Sequence, residues 1–155
     1  MKKYLNDKSY CIKYRQNMSP STWFNTYKKF QDKESALVKI HTFDEKELSF
    51  EMENIKGFCL TETHLLKTMP KIELRQIISK VISLWGTLQT FTVDDENIFI
   101  HRDFCICNLM YDTETKQIRL IDPDAFNIQN PSVDSPIYHG PFIDTLYIMK
   151  LWERL

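Results

Sequence analysis

A β-hairpin predicted for the last third of the chain constrains its fold more than any other feature. Residues 108–111 and 117–121 are short, apolar-rich runs typical of β-strands, and residues 112–116 between them have the polar composition of a turn. If the turn is symmetric about Thr115, the first residue of the first strand lies opposite the residue that directly follows the second strand. The hairpin therefore predicts that two positions distant in sequence meet at its open end.

These two positions are Asn108 and Asp122, whose side chains carry the oxygen atoms that Mg²⁺ prefers as ligands. Mg²⁺ commonly takes one or two protein oxygens and completes its shell with phosphate and water. Alone, either residue would be explained as a turn former at a strand end, and His101 as a packed or hydrogen-bonded core histidine. We interpret Asn108 and Asp122, together with Asp103 on the loop that leads into the hairpin, as a Mg²⁺–nucleotide site, active or vestigial.

The stretch 101–126 resembles the catalytic loop and metal loop of the protein-kinase-like superfamily, in its aminoglycoside-phosphotransferase and choline-kinase branch. It is especially similar to kinase-like proteins found with bacterial surface-polysaccharide genes, in which His-x-Asp-x-Cys-x-x-Asn-x-x-Tyr-Asp precedes Ile-Asp-Pro. The matching residues are His101, Asp103, Cys105, Asn108, Tyr111, Asp112, Ile121, Asp122 and Pro123.

This resemblance implies an enzyme that uses ATP and Mg²⁺. Asp103 corresponds to the catalytic base that deprotonates an attacking hydroxyl, and Asn108 and Asp122 correspond to the Mg²⁺ ligands. The implied reaction is phosphoryl transfer to a hydroxyl, of a small molecule or saccharide rather than of a protein. Transfer of a nucleotidyl group, which related folds achieve by binding ATP in reverse, is an alternative.

The fold that the resemblance implies is α+β, a truncated two-lobed protein-kinase-like fold in a single domain, residues 1–155. A small antiparallel sheet lobe would span residues 1–55, and a mainly helical lobe residues 56–155. Lys13, on a strand-like run, corresponds to the lysine that contacts phosphate, with an exposed strand lysine as the alternative. Glu53 and Ile55 correspond to the edge between the lobes, where backbone groups hydrogen-bond adenine.

Sequence patterns predict the elements around this site. Ser19 and Pro20 offer an N-cap and a first-turn proline, and Trp23, Tyr27 and Phe30 give the following helix an aromatic face. Further strands are predicted at residues 37–43 and 47–52, and a short helix at residues 61–67. A long helix is expected to start at Pro70, with one buried apolar stripe formed by Leu74, Ile77, Ile78, Val81, Ile82, Trp85 and Leu88.

Two departures from the family pattern favour a second function class. The chain has three glycines, none in a G-x-G setting, so the glycine-rich loop that covers phosphates is missing. By rough register, Trp23 occupies the helix position where the family carries the glutamate that pairs with the lysine. The alternative is therefore a pseudokinase, a nucleotide- or protein-binding module that regulates a partner.

Composition limits the class of protein. The chain has 155 residues, enough for one domain with a core, and its net charge of −1 excludes a strong electrostatic preference for nucleic acid or an anionic membrane. Its four cysteines show no C-x-x-C pair, which predicts free thiols in a reducing cytosol. No apolar run approaches ~20 residues, so we expect neither a membrane span nor a signal peptide, and a cytoplasmic location.

A second apolar helix is predicted near the C-terminus, beginning at Pro141. Asp144 at its start is similar to the aspartate that braces the catalytic loop in the family, with a plain helix N-terminal carboxylate as the alternative. A short large lobe would leave apolar side chains of this helix, such as Leu151 and Trp152, partly uncovered. The expected partners are thus a nucleotide, a small-molecule or saccharide acceptor, and a second copy of the chain or another protein.

Overall fold

The computed structural model describes residues 2–4 and 18–130. Lys13 and the predicted C-terminal helix, with Asp144, Leu151 and Trp152, lie outside the described residues. The described part is a mixed α+β structure, with three α-helices and small antiparallel sheets. No helix in this part of the chain is long and apolar enough to cross a membrane.

Helix α1, Pro20–Gln31, begins where the sequence predicts it. The Oγ atom of Ser19 accepts a hydrogen bond from the N–H of Thr22 at 3.1 Å, and Pro20 occupies the first turn. The predicted aromatic face is confirmed, since Trp23, Tyr27 and Phe30 are all buried. Trp23 packs against the aromatic ring of Phe50, which anchors the helix on the first sheet.

The first sheet has the strand order β1-β3-β2 and is antiparallel throughout. Its strands are β1, Lys2–Tyr4, β2, Ile40–Asp44, and β3, Ser49–Met52. Strands β2 and β3 form where the sequence predicts strands, but both are shorter than expected. The prediction that β2 starts at residue 37 is wrong because Leu37 forms a parallel bridge with Leu120. The adjacent Val38 N–H also donates to the Leu120 carbonyl, at 3.1 Å.

The second sheet has the order β4-β6-β7 and contains the predicted hairpin. Its strands are β4, Gly57–Cys59, β6, Leu109–Asp112, and β7, Gln117–Leu120. Strands β5, Ile98–His101, and β8, Phe126–Gln129, form a separate antiparallel pair. Together these strands hold both ends of the loop that carries the candidate site.

Two helices connect β4 to β5. Helix α2 spans Thr63–Thr68, and helix α3 spans Lys71–Leu88 directly after Pro70, as predicted. The predicted apolar stripe is wrong at Ile82 and Trp85, which are 55% and 41% exposed. The buried face of the helix instead includes Leu84 and Leu88 and packs against β5 and β7. Ile82 and Trp85 lie to one side of this face.

Aromatic side chains join α1 to the β5–β8 pair in one core. The ring centroids of Phe30 and Phe91 lie 4.2 Å apart, and those of Phe99 and Phe126 lie 4.9 Å apart. Phe30 also stacks on Phe99, at 5.4 Å, and Tyr27 packs against Phe126. Such pairs add to the free energy of area burial. The first sheet and the candidate site are therefore supported by the same core.

Candidate functional site

The candidate site is built on the loop between β5 and β6, residues 102–108. The Arg102 N–H donates to the carbonyl of Ala125 at 3.0 Å, which ties the start of the loop to the segment before β8. The Cys105 N–H donates to the Asp103 carbonyl, and the Asn108 N–H donates to the Cys105 carbonyl, both at 2.9 Å. Main-chain hydrogen bonds thus fix the loop at both ends and in its interior.

Asn108 and Asp103 are brought together as a hydrogen-bonded pair. The Asn108 Nδ2 atom donates to the main-chain carbonyl of Asp103 at 2.8 Å and to its Oδ2 atom at 2.9 Å. Within the described residues, the Asn108 Oδ1 atom accepts no hydrogen bond. The two bonds therefore orient the amide so that its oxygen points away from Asp103, and they leave the exposed Asp103 carboxylate accessible to solvent.

His101 holds the main chain of Asp122. Its Nε2 atom donates to the Asp122 carbonyl at 2.9 Å, and the Ala125 N–H donates to the same carbonyl at 3.1 Å. The His101 side chain is 6% exposed and its ring packs edge-on against Phe126 at 4.8 Å. The interpretation of His101 as a packed, hydrogen-bonded core histidine is confirmed.

The predicted register of the hairpin is wrong by one residue. Leu109 pairs with Leu120, and the Ile121 N–H donates to the Asn108 carbonyl at 2.9 Å, so Asn108 lies opposite Ile121. Asp122 is the next residue along the chain and still follows the open end of the hairpin.

Asp112 and Lys116 explain the register. The Asp112 Oδ1 atom accepts hydrogen bonds from the N–H groups of Glu114 and Thr115, at 2.9 and 3.2 Å, and Lys116 has a φ of 58°. The turn is therefore centred between Glu114 and Thr115, and not on Thr115. Burial raises the pKa of Asp112, but the hydrogen bonds from Thr115 and Glu114 outweigh it and leave that pKa below the ordinary range.

Cys105 and Cys107 are joined by a disulfide bond, so the prediction of free thiols is wrong for these two residues. Their Cα atoms lie 5.3 Å apart because Ile106 between them begins a short 3-10 turn, and this spacing is within the usual range for a disulfide. Cys59 keeps a free thiol. Cys11 lies outside the described residues.

Glu53 is bound to its surroundings by side chain and backbone. Its N–H donates to the Lys39 carbonyl at 2.8 Å, and its Oε1 atom accepts the Lys39 N–H at 2.7 Å. The same carboxylate forms an ion pair with the guanidinium of Arg119. In the described part of the chain, neither the Glu53 carbonyl nor the Ile55 N–H makes a hydrogen bond. These are backbone groups of the predicted adenine edge.

Arg119 is a buried residue that sequence reasoning missed. Besides pairing with Glu53, it donates to the Leu37 carbonyl at 3.3 Å. Burial lowers its pKa, which the nearby Tyr27 partly offsets. The available signal was a single charged residue in an otherwise apolar strand, since charged side chains are rarely buried without a partner.

The donor set suits a hard cation that brings other ligands with it. Asn108 and Asp122 supply oxygen atoms only, which Mg²⁺ prefers over nitrogen or sulfur. Across residues 18–130 no group of three or more His, Cys, Asp or Glu side chains is placed to hold a metal ion. A bound Mg²⁺ would therefore depend on phosphate and water for the rest of its shell.

No model of a known protein family matches the chain, and no curated protein is significantly similar to it in sequence.

Proposed function

We propose that this protein is an ATP-dependent phosphotransferase that acts on a hydroxyl of a small molecule or saccharide, with a truncated two-lobed kinase-like fold. The observation that carries the proposal is the double hydrogen bond from the Asn108 amide to Asp103. It turns one candidate oxygen ligand outward beside a solvent-accessible carboxylate. A proton acceptor and a ligand for a cation are the two groups that this chemistry needs side by side.

Each side chain has a distinct role in the proposed reaction. The Asp103 carboxylate orients the acceptor hydroxyl and accepts its proton as the oxygen forms a bond to the terminal phosphorus of ATP. The bond from that phosphorus to its bridging oxygen breaks, and ADP leaves with that oxygen. Asn108 positions that carboxylate through its amide nitrogen and offers its amide oxygen to Mg²⁺, together with Asp122. When bound, Mg²⁺ neutralises negative charge on the phosphates. His101 acts as a positioning residue, since it holds the main chain of Asp122.

The chain brings the two ends of the proposed nucleotide site into one part of the molecule. The ion pair with Arg119 places the Glu53 carboxylate beside β7, and Asp122 follows Arg119 by three positions. This arrangement supports a ligand that contacts both ends, and ATP is the proposed ligand. Adenine would meet the backbone of Glu53 and Ile55, and Lys13 is the proposed contact to phosphate.

Metal-dependent nucleotide binding tests the proposal. ATP should raise the melting temperature in the presence of Mg²⁺ or Mn²⁺ and much less in EDTA, because Asn108 and Asp122 would hold the cation and the cation would neutralise charge on the phosphates. The Asp122→Ala variant should lose the metal-dependent part of the shift. The Asp95→Ala variant, which changes an exposed carboxylate outside the site, is the matched control and should keep it. Equal shifts with and without the cation would contradict the proposal.

A pseudokinase is the second candidate, and the burial of Trp23 favours it. Trp23 has no exposed surface and packs among the rings of Tyr27, Phe43 and Phe50. By rough register of the sequence, it corresponds to the position where related kinases carry an acidic partner for the lysine. That position cannot supply a carboxylate. A pseudokinase would bind ATP without turning it over. Mass spectrometry of products after incubation with Mg·ATP and a metabolite extract separates the two candidates, because only the enzyme yields a phosphorylated metabolite.

A further inference from the structure

The disulfide between Cys105 and Cys107 lies inside the loop that carries the candidate site. Asp103 precedes the pair and Asn108 follows it, and both make main-chain hydrogen bonds to Cys105. The Asn108 side chain then returns to Asp103. A bond that fixes the distance between Cys105 and Cys107 therefore also restricts the positions of Asp103 and Asn108.

A third sulfur atom contacts the same loop. The Cys59 thiol, on β4, donates to the carbonyls of Ile106 and Cys107, at 3.3 and 3.4 Å. The Thr61 hydroxyl in turn donates to the Cys59 sulfur at 3.1 Å. These contacts hold the bridged conformation of the loop against the edge of the second sheet.

The bridge is open to small thiols and disulfides. Cys107 is exposed and Cys105 is half-buried, so a small molecule can approach the sulfur atoms without unfolding of the core. Disulfides that are exposed to solvent are the ones that are readily reduced and that act in regulation or catalysis, whereas structural disulfides resist reduction. A short bridge on a solvent-facing loop fits that class better than it fits a structural cross-link between distant segments.

We infer that Cys105 and Cys107 form a reversible thiol–disulfide switch that controls the candidate site; the regulatory part of this inference rests on the proposed function. The bridged form holds the Asn108 amide on Asp103, as the structure has it. The reduced form releases residues 105–107 and weakens metal-dependent ATP binding. The partner is a low-molecular-weight thiol–disulfide couple of the glutathione type.

The exchange balances without any further reactant. On oxidation, the S–H bonds of Cys105 and Cys107 and the S–S bond of the small disulfide break. One S–S bond forms between the two cysteines, and two molecules of the small thiol are released. Two electrons and two protons pass from the protein to the small disulfide. Reduction reverses each of these changes.

The test uses the full chain equilibrated in glutathione buffers of defined reduced-to-oxidised ratio. Alkylation followed by peptide mass spectrometry identifies which cysteines are bridged at each ratio. Hydrogen exchange of the amides in residues 103–109 reports the loop conformation without any nucleotide. The ATP-induced rise in melting temperature with Mg²⁺, followed as a function of ATP concentration, reports the site. The Cys105→Ser/Cys107→Ser variant cannot form the bridge. Cys59→Ser is the matched control, because it keeps both cysteines of the pair and its hydroxyl can still donate to the carbonyls of Ile106 and Cys107.

The expected result is one reversible pair, Cys105–Cys107, in wild type and in Cys59→Ser. Oxidation should slow amide exchange in the loop and tighten metal-dependent ATP binding by about fivefold or more, in the usual range for coupling between sites. The Cys105→Ser/Cys107→Ser variant should behave as reduced protein at every ratio.

Three outcomes distinguish what fails. Absence of a reversible Cys105–Cys107 pair, a pair formed with Cys59 instead, or unchanged loop exchange would overturn the switch, whatever ATP does. A switch that forms while ATP binding stays equal in both redox states would overturn the regulatory claim. A switch that forms and alters loop exchange, with no metal-dependent ATP binding in either state, would remove the proposed function and leave the switch standing.

Discussion

Arg119 on β7 and Glu53 after β3 form an ion pair across 66 positions of the chain, in a place that is largely closed to solvent. The Arg119 side chain is 9% exposed and that of Glu53 is 22% exposed. Removal of one partner would leave a charge with little access to water, which is the costly way to break a buried pair. This pair therefore connects the stability of the first sheet to that of the hairpin.

Glu53→Gln should destabilise the protein by about 2 kcal/mol or more, somewhat below the ~3–5 kcal/mol of a fully buried pair because Glu53 is partly exposed. Urea unfolding followed by circular dichroism measures the loss. Lys56→Gln is the matched control, because it breaks the exposed pair between Lys56 and Glu114. That change should cost less than ~1 kcal/mol. Equal losses in the two variants would show that burial of the Arg119 pair does not matter.

Asp103→Asn should lower turnover by ~10²-fold or more while the folded state is retained. The substitution preserves the size of the side chain and its ability to accept the Asn108 hydrogen bond, but it removes the proton acceptor. Initial rates with the acceptor found by mass spectrometry measure the effect, and ATP binding to Asp103→Asn should be close to wild type. Full turnover in this variant would exclude Asp103 as the base.

Gly57→Ala and Gly86→Ala should change stability in opposite directions. A Cβ atom at Gly57 would meet the backbone of Tyr111 on the neighbouring strand, 2.8 Å from its carbonyl carbon, so β4 and β6 would have to separate. We expect a loss of about 1–3 kcal/mol. A Cβ atom at Gly86 meets nothing within 4 Å on helix α3, and alanine there should stabilise the protein by ~0.5–1 kcal/mol. Thermal melts of both variants check this, and a stabilised Gly57→Ala protein would contradict it.

We expect the protein to lose stability at alkaline pH, because the pKa of Tyr111 is raised in the folded state. Burial, with the hydrogen bond to Glu73 and the Glu73 charge, raises the pKa of Tyr111 from 10 to about 12. A raised pKa in the folded state contributes stability that is fully present below pH 10 and is lost as the pH rises toward 12.

Urea midpoints measured across this interval should therefore fall more steeply for wild type than for Tyr111→Phe. Tyr27 is a further buried tyrosine with a raised pKa and is present in both proteins, so the difference between them isolates Tyr111. Parallel curves for the two proteins would refute the assignment.

At acid pH the Tyr111 hydrogen bond lowers the pKa of Glu73, so the contribution of the Glu73 carboxylate to the stability of the folded state is lost as the pH falls below 4.5.

Local signals in the sequence predicted the helix starts, because a cap or a proline acts within one turn. Ser19 and Pro70 each begin a helix at the expected place. The extent of β2 could not be predicted, because the residues on either side of Leu37 form main-chain hydrogen bonds with Leu120, in a strand far along the chain. The hairpin register depended on the side chain of Asp112, which sets the turn in a way that composition does not reveal.

In the candidate site, too, local sequence signals predicted some features and contacts between distant residues decided others. Motif spacing indicated that Asp103 and Asn108 belong together, and the structure places them in contact. The direction of the Asn108 amide and the bond from His101 to the Asp122 carbonyl depend on three-dimensional placement and carry no signal in the sequence. The disulfide was missed because a Cys-x-Cys pair closes only when the main chain between the two cysteines brings them close enough, as the turn that starts at Ile106 does.

The contact between Leu37 and Arg119 can form only some seconds after Leu37 has been synthesised. Arg119 donates to the Leu37 carbonyl across 82 residues, and at ~5–20 residues per second a ribosome needs roughly 4–16 s to bridge that interval. Until then, Leu37 and Val38 have emerged without the strand that covers them in the finished protein. A nascent chain of this length would present an unpaired apolar edge to chaperones and to neighbouring chains on the same messenger RNA.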